Sequence, residues 1–323
     1  MRGSFHDNVD TSITSGESAG MHQVASLEEV STGVYAYVQP DGTWWINNAG
    51  FIVGSESVIL IDTCSTQRRT TQLLDAVRSV TSAPVNIVVN THHHGDHTHG
   101  NSFTAPAAIV AHRRCRETLL ATGINHYEAV FEQPDWGALR VSAPVITFES
   151  QLDLWADDLQ VELHYIGEPA HTTNDVVAWI PDRKVLFTGD LVFHQGTPFV
   201  VMGSLAGSLK SIDRLRAFGA DVIVPGHGPV CGPEVLDMVE RYLTFVHDLA
   251  VSARHSGNTP LQAAQAADLG EFAALSDSER LVGNLHRAMA EMAGPQDHQP
   301  MSMANALADM LTLNGGGVLR CLA

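Results

Sequence analysis

One stretch constrains this chain more than any other: Thr91-His92-His93-His94-Gly95-Asp96-His97-Thr98-His99-Gly100-Asn101. It follows directly on Asn86 to Asn90, which reads as a strand with Ile87, Val88 and Val89 at its centre. In extended backbone alternate side chains share a face, so His92 and His94 can hold one metal ion while His93 points elsewhere. Asp96 and His97, one step later at a turn into a helix, can face a second ion. Imidazoles and carboxylates at this density suit Zn²⁺, with Mn²⁺ or Fe²⁺ as alternatives. Three further candidates stand at the ends of expected strands: His171 in Gly167-Glu168-Pro169-Ala170-His171-Thr172, Asp190 in Phe187-Thr188-Gly189-Asp190, and His227 in Val224-Pro225-Gly226-His227-Gly228-Pro229. His112, His164 and His247 stand alone and read as ordinary surface or core residues. His93 and His99 lie within the cluster, but alternation places them outside the ligand set.

The surrounding chain alternates strands with helices. Gly33 to Val38, Trp44 to Val53 and Ser57 to Ile61 form an antiparallel meander, its first two runs divided by a Pro40-Asp41-Gly42 turn. Gln67 to Val80 places Leu73, Leu74, Val77 and Val80 at helical spacing, and Val85 to Val89 is a fully apolar strand after Pro84. The rhythm continues with a strand at Ala107 to Ala111, a helix from Arg113 to Thr122, and strands near Val145 to Phe148, Leu159 to Ile166, Asp175 to Ile180 and Lys184 to Thr188. A helix near Ser208 to Phe218 and a strand at Asp221 to Val224 complete this part. From Pro233 onward only helices are expected, with Val235, Val239, Leu243, Val246 and Ala250 on one face of the first. The expected organisation is a flexible leader over residues 1–25, an α/β domain over 26–232, and a helical C-terminal extension over 233–323 packed on that domain.

Composition narrows the partner. With 36 acidic against 18 basic side chains the formal net charge is -18, which repels nucleic acid and anionic lipid and leaves a small molecule or a protein. No apolar run approaches the roughly 20 residues of a membrane helix. Four scattered cysteines and no signal-like N-terminus fit a reducing cytosol. Arg113, Arg114 and Arg116 are the one tight basic cluster, and a solvated helix face accounts for them.

His92-x-His94-x-Asp96-His97 with His171, Asp190 and His227 resembles the metal motifs of the metallo-β-lactamase superfamily, in order and each in a Gly-rich context, over about Gly33 to Pro229. Asp62, in Ile61-Asp62-Thr63, resembles that family's buried aspartate. The fold implied is the αββα sandwich with metals at one rim. The resemblance implies two zinc ions: His92, His94 and His171 on the first, Asp96, His97 and His227 on the second, and Asp190 bridging. Asp96 and Asp190, with a metal-bound hydroxide, are then the catalytic carboxylates. A bridging Asp, not Cys or Ser, resembles the thioester-, lactone- and phosphoester-cleaving branches, and His94 argues against the oxygen-reducing di-iron branch. Trp44 and Trp45 are candidate cleft residues, because the meander borders the rim in this fold, although one of two strand neighbours normally faces the core.

A second resemblance extends beyond the metal motifs. Thr197-Pro198-Phe199, Thr259-Pro260-Leu261-Gln262-Ala263-Ala264, Glu279-Arg280-Leu281-Val282, Asn284-Leu285-His286-Arg287-Ala288 and the terminal Cys321-Leu322-Ala323 look like the second-ring cyclases of bacterial aromatic polyketide pathways. That family implies aldol cyclisation and dehydration of a poly-β-ketone chain on an acyl carrier protein, with thioester hydrolysis. The loop from Leu191 to Ser204, with His194, Thr197 and Phe199, is the expected cleft wall. The alternatives are a generic dizinc hydrolase of small thioesters or lactones, and a metal-stabilised binding protein without turnover. The apolar helical tail offers a face for a homodimer.

Overall fold

The computed structural model describes residues 25–293 and 301–323, so the expected leader, apart from Ala25, lies outside the described residues. In chain order the elements are β1 (Ser26–Ser31), β2 (Val34–Val38), β3 (Ala49–Val53), β4 (Val58–Ile61), α1 (Gln67–Val80), β5 (Val85–Asn90), α2 (Gly95–Thr98), β6 (Ala108–His112), α3 (Arg113–Thr122) and β7 (Ile146–Phe148). Then come β8 (Gln151–Ala156), β9 (Leu159–Tyr165), β10 (Val176–Ile180), β11 (Val185–Phe193), α4 (Leu205–Ala217) and β12 (Val222–His227). Helices α5 (Val235–Ser256), α6 (Pro260–Ala266), α7 (Arg280–Met292) and α8 (Met303–Leu313) follow.

Strands β1 to β7 form one sheet in sequence order, antiparallel through β4 and parallel from β4 to β7. Strands β12-β11-β10-β9-β8 form the second, parallel only between β11 and β12. Alternation decides what each sheet buries where. Val34, Ala36, Ile52, Ile59, Ile61 and Val89 of the first sheet meet Val161, Leu163, Ala178, Ile180, Val185 and Phe187 of the second, giving the dry layer between sheets. The first sheet's opposite face, with Phe51, Leu60, Val88 and Ile109, packs on Leu73 and Val77 of α1. The second sheet's outer face, with Val177, Trp179, Leu186 and Ile223, packs in one cluster with residues of α4, α5, α7 and α8. The architecture is therefore helix, sheet, sheet, helix, as expected, with C-terminal helices on the second sheet's side.

Local chemistry explains the helix starts. Thr66 caps α1 by accepting from the Arg69 N–H, and Thr259 and Gln262 form a reciprocal capping box on α6 with Pro260 in the first turn. No helix of the described residues is long and apolar enough to cross a membrane.

Three expectations need correction. The strand expected from Trp44 begins at Ala49. Trp44 and Trp45 instead occupy a turn, with Trp45 at φ +67°, a left-handed conformation outside any strand. Strands β1 and β8 were not foreseen, although Leu152 and Leu154 alternate with exposed Asp153 and Trp155 along β8 as a half-buried strand should. Strand β11 runs on to Phe193, well past Thr188, and so carries Asp190 within it.

Candidate metal centre

The seven predicted ligands converge at one rim of the sandwich. Strand β5 ends at Asn90, where the backbone turns. His92 and His94 lie on the connection, and Asp96 and His97 on the single turn of α2. His171 comes from the β9–β10 connection, Asp190 from β11 and His227 from the last position of β12. The donor atoms fall into two sets, His92, His94, His171 and Asp190, and Asp96, His97, Asp190 and His227, each with its ligand atoms within 4.8 Å of one another. Asp190 belongs to both.

The distances show how the carboxylate is shared. Asp190 Oδ1 lies 3.0 Å from His97 Nε2, while Oδ2 lies 3.3 Å from both His171 Nε2 and His227 Nε2 and 3.8 Å from His92 Nε2. Asp96 Oδ2 is 3.3 Å from His227 Nε2. His94 faces its set with Nδ1, 2.9 Å from His171 Nε2.

Outer partners fix each ring. The Asp62 carboxylate accepts from His97 Nδ1 at 2.8 Å and also from the Thr91 N–H and hydroxyl, at 2.8 and 2.7 Å, which turns His97 Nε2 toward Asp190. Thr91 Oγ1 lies 3.1 Å from His92 Nδ1, the Phe199 carbonyl accepts from His171 Nδ1 at 2.5 Å, and the Gly42 carbonyl accepts from His227 Nδ1 at 3.0 Å. His94 differs, because its Nε2 meets the thioether of Met202 at 3.0 Å. Two glycines make the approach possible. A Cβ on Gly42, at φ +61°, would stand 2.5 Å from the Gly228 nitrogen, and one on Gly226 would collide with Asp190 Oδ1.

The residues present fit divalent cations. Among the described residues His92 Nε2, His97 Nε2 and Asp190 Oδ1 are buried without a hydrogen-bond partner, a rare condition that ions between them would relieve. Burial, helped by neighbouring imidazoles, holds His92 and His94 well below the ordinary histidine range, so both are neutral. For His97 and His227 burial works in the same direction, but the carboxylates outweigh it. Asp190, Asp62 and Asp96 raise His97, and Asp190 with Asp96 raises His227 to about 9. Asp96 and Asp190, despite burial, are held below the carboxylate range by these imidazoles.

The metallo-beta-lactamase superfamily family model matches residues 42–227, more than half the chain, and spans all seven ligands. The chain belongs to the metallo-beta-lactamase superfamily. Among curated relatives, a linear primary-alkylsulfatase of a Pseudomonas species is 27% identical over 254 residues, 65% of this chain and 47% of the relative. A metallo-beta-lactamase type 2 of Bacteroides fragilis is 24% identical over 67% of this chain and 84% of its own length. A hydroxyacylglutathione hydrolase of Methylococcus capsulatus is 28% identical over 137 residues. The chain thus spans about half the length of the alkylsulfatase. The solved metallo-beta-lactamase from Pontibacter korlensis shares the fold, with TM-score 0.58 and 22% identity over 68% of this chain and 99% of that one.

As in other clefts of α/β proteins, this superfamily member's centre opens at strand ends, here onto a cavity. Its lining includes Trp44, Trp45 and Phe199 of the predicted pocket residues, beside His94, Asp96, His171, Asp190 and His227. His194 and Thr197 are not part of that lining. Nδ1 of His194 binds the Pro229 carbonyl at 2.9 Å, and the Thr197 carbonyl accepts from Arg280. His93 does line the cavity, its Nδ1 3.0 Å from Asn174 Nδ2, outside both donor sets. Residues that sequence reasoning missed also form the wall: Phe131, Phe193, Met202, and Arg280, Met303 and Leu307 from the C-terminal helices. A lone Arg at a helix start carried no signal of its own. The Arg113, Arg114 and Arg116 cluster is engaged locally, with Glu149, the Tyr165 hydroxyl and the Pro144 carbonyl.

Proposed function

We propose that this chain is a dinuclear zinc enzyme that hydrolyses the thioester of an acyl-carrier-protein-bound poly-β-ketone and closes an aromatic ring on it by aldol condensation and dehydration. The observation that carries the metal-dependent hydrolase part is the pair of donor sets sharing Asp190 at the mouth of an aromatic-walled cavity. Hydroxyacylglutathione hydrolases among its relatives support a thioester. The cyclase part rests on the sequence likeness that runs through the C-terminal helices. Support comes from the cavity, because Arg280, Met303 and Leu307 lie beyond the stretch matched by the family model and yet line it.

Two bound zinc ions would supply a nucleophile at neutral pH and an electrophile for a carbonyl or enolate oxygen. The chain's own residues do the rest. Asp190 holds the two donor sets in register, and Asp62 keeps the proton of His97 on Nδ1 so that Nε2 stays available. Asp96, a residue of the cavity lining, would complete the second donor set with Oδ2, 3.3 Å from His227 Nε2. Phe131 and Phe199 each meet Trp44 edge to face with centroids 5.1 Å apart, giving an apolar wall for a flat acyl group.

The test is turnover by zinc-loaded protein of an aryl β-keto thioester, a γ-lactone and an alkyl sulfate, with products identified by mass. Release of thiol together with a dehydrated cyclic product is expected. Cleavage confined to the lactone would leave a small-substrate hydrolase. Two bound zinc ions with no turnover of any of the three would leave a binding protein.

A further inference from the structure

We infer that Arg280, carried to the cavity by α7, is a positioning residue that sets the aromatic wall for a flat ring of the substrate. The inference deepens the proposed function, and it rests on that reading only for the planarity of the acyl group.

Arg280 is among the most buried large side chains of the molecule, 1% exposed, yet it belongs to the cavity lining. Its guanidinium carbon stands 4.1 Å from the centroid of Trp44 and 5.0 Å from that of Phe193. Phe193 in turn stacks on the imidazole of His227, centroids 4.9 Å apart and planes 7° from parallel. One planar cation therefore contacts both the outer wall and a ring packed against a metal ligand. Two contacts orient the guanidinium, with Nη1 donating to the Thr197 carbonyl at 3.0 Å and Nη2 2.7 Å from Asp277 Oδ2, while neighbouring Glu279 accepts from Trp44 Nε1 at 2.6 Å. Among the described residues, Nε of Arg280 has no hydrogen-bond partner.

Fastening α7 to the body does not require this arrangement. A buried ion pair is a poor source of stability, and an apolar side chain of equal volume holds two surfaces together as well. An arginine adds direction, since its rigid plane can stack on aromatic faces while its fork is held by oxygen acceptors, and a lysine has the charge without the plane. Trp44 needs such support. It sits in a turn, half-buried, where no strand ladder fixes its backbone.

Calorimetric titration of the zinc-loaded full chain with 1-hydroxy-2-naphthoate and with octanoate tests this. Both probes carry one carboxylate, so attraction to the metals is common to them and only planarity differs. The parent should prefer the naphthoate. Arg280→Met and Arg280→Lys should each weaken naphthoate binding about tenfold while changing octanoate by less than about threefold, with two zinc ions retained. Full naphthoate affinity in Arg280→Lys would assign the effect to charge and overturn the inference. Equal losses for both probes, or loss of zinc in the Lys variant, would overturn it too. Turnover plays no part in this measurement. Failure to cleave thioesters would therefore sink the proposed function and leave the wall standing, whereas equal binding of both acids by the parent would do the reverse.

Discussion

Four imidazoles of the centre stand in different protonation states before any ion binds. His92 and His94 are neutral because burial disfavours their charge, whereas His97 and His227 are raised, the latter to about 9, by the carboxylates they face. A group whose pKa lies above the working pH carries its proton, so at pH 7 zinc must displace protons from His97 and His227 but none from His92 or His94. Titrating metal-free protein with zinc in buffers of different ionisation enthalpy should therefore show about three protons released at pH 7, two from His97 and His227 and one from a zinc-bound water, with the imidazole share falling toward pH 10. Release of none at pH 7 would contradict the assignment. Asp62 acts one bond further out. Asp62→Asn removes the charge that fixes His97 Nδ1–H, and zinc affinity, read by competition with a chelating dye, should fall by roughly 10–100-fold. All seven candidate ligands could be named from the sequence because each sits in a short run of chemically specific residues. Arg280 could not, because what it touches lies far away in the chain: Trp44 is more than 200 positions distant and Phe193 more than 80.

At the scale of elements, the centre depends on how closely strands β11 and β12 approach. They pair in parallel with register shifts around Gly189, and the carboxylate of Asp190 passes over Gly226, where a side chain has no room. Gly226→Ala should push Asp190 off its bridging position. Metal analysis after dialysis should then give fewer than two zinc ions per chain, and two retained ions would show that the strands can yield without loss of the bridge. A Gly beside a ligand is readable in the sequence as Pro225-Gly226-His227, but the reason for it appears only when β11 is laid alongside. The helices were legible for a different reason. Thr66, Thr259 and Pro260 are local signals that operate within one turn. The turn at Trp44 and Trp45 was misread as strand, because aromatic residues favour strands and nothing nearby announces that Trp45 adopts positive φ. That conformation is held by tertiary packing, with Trp136 4.9 Å and Phe131 5.7 Å from the Trp45 ring.

At the scale of the whole molecule, the alternation of strand and helix gave only an α/β class, and the order of layers came from the resemblance carried by the metal motifs; which side the C-terminal helices cover could be read from neither. Their apolar faces have no signature that names the partner sheet. The metal centre joins the same layers from the rim. His92, His94, Asp96 and His97 follow β5 of the seven-stranded sheet, whereas His171, Asp190 and His227 belong to the five-stranded sheet and its connections. Ions held by both sets would therefore cross-link the sandwich, and without them three buried carboxylates, Asp62, Asp96 and Asp190, converge on the single ring of His97. A ligand at 1,000 times its dissociation constant stabilises the native state by about 4 kcal/mol. At the roughly 2 °C per kcal/mol appropriate to large domains, two such ions should raise the melting temperature by on the order of 15 °C. Scanning calorimetry of chelator-dialysed protein at fixed pH should show that fall, reversed by adding zinc. An unchanged melting temperature would mean that the packing between sheets, with Phe187, Leu163 and Ile61 at its centre, carries the sandwich without help from its rim.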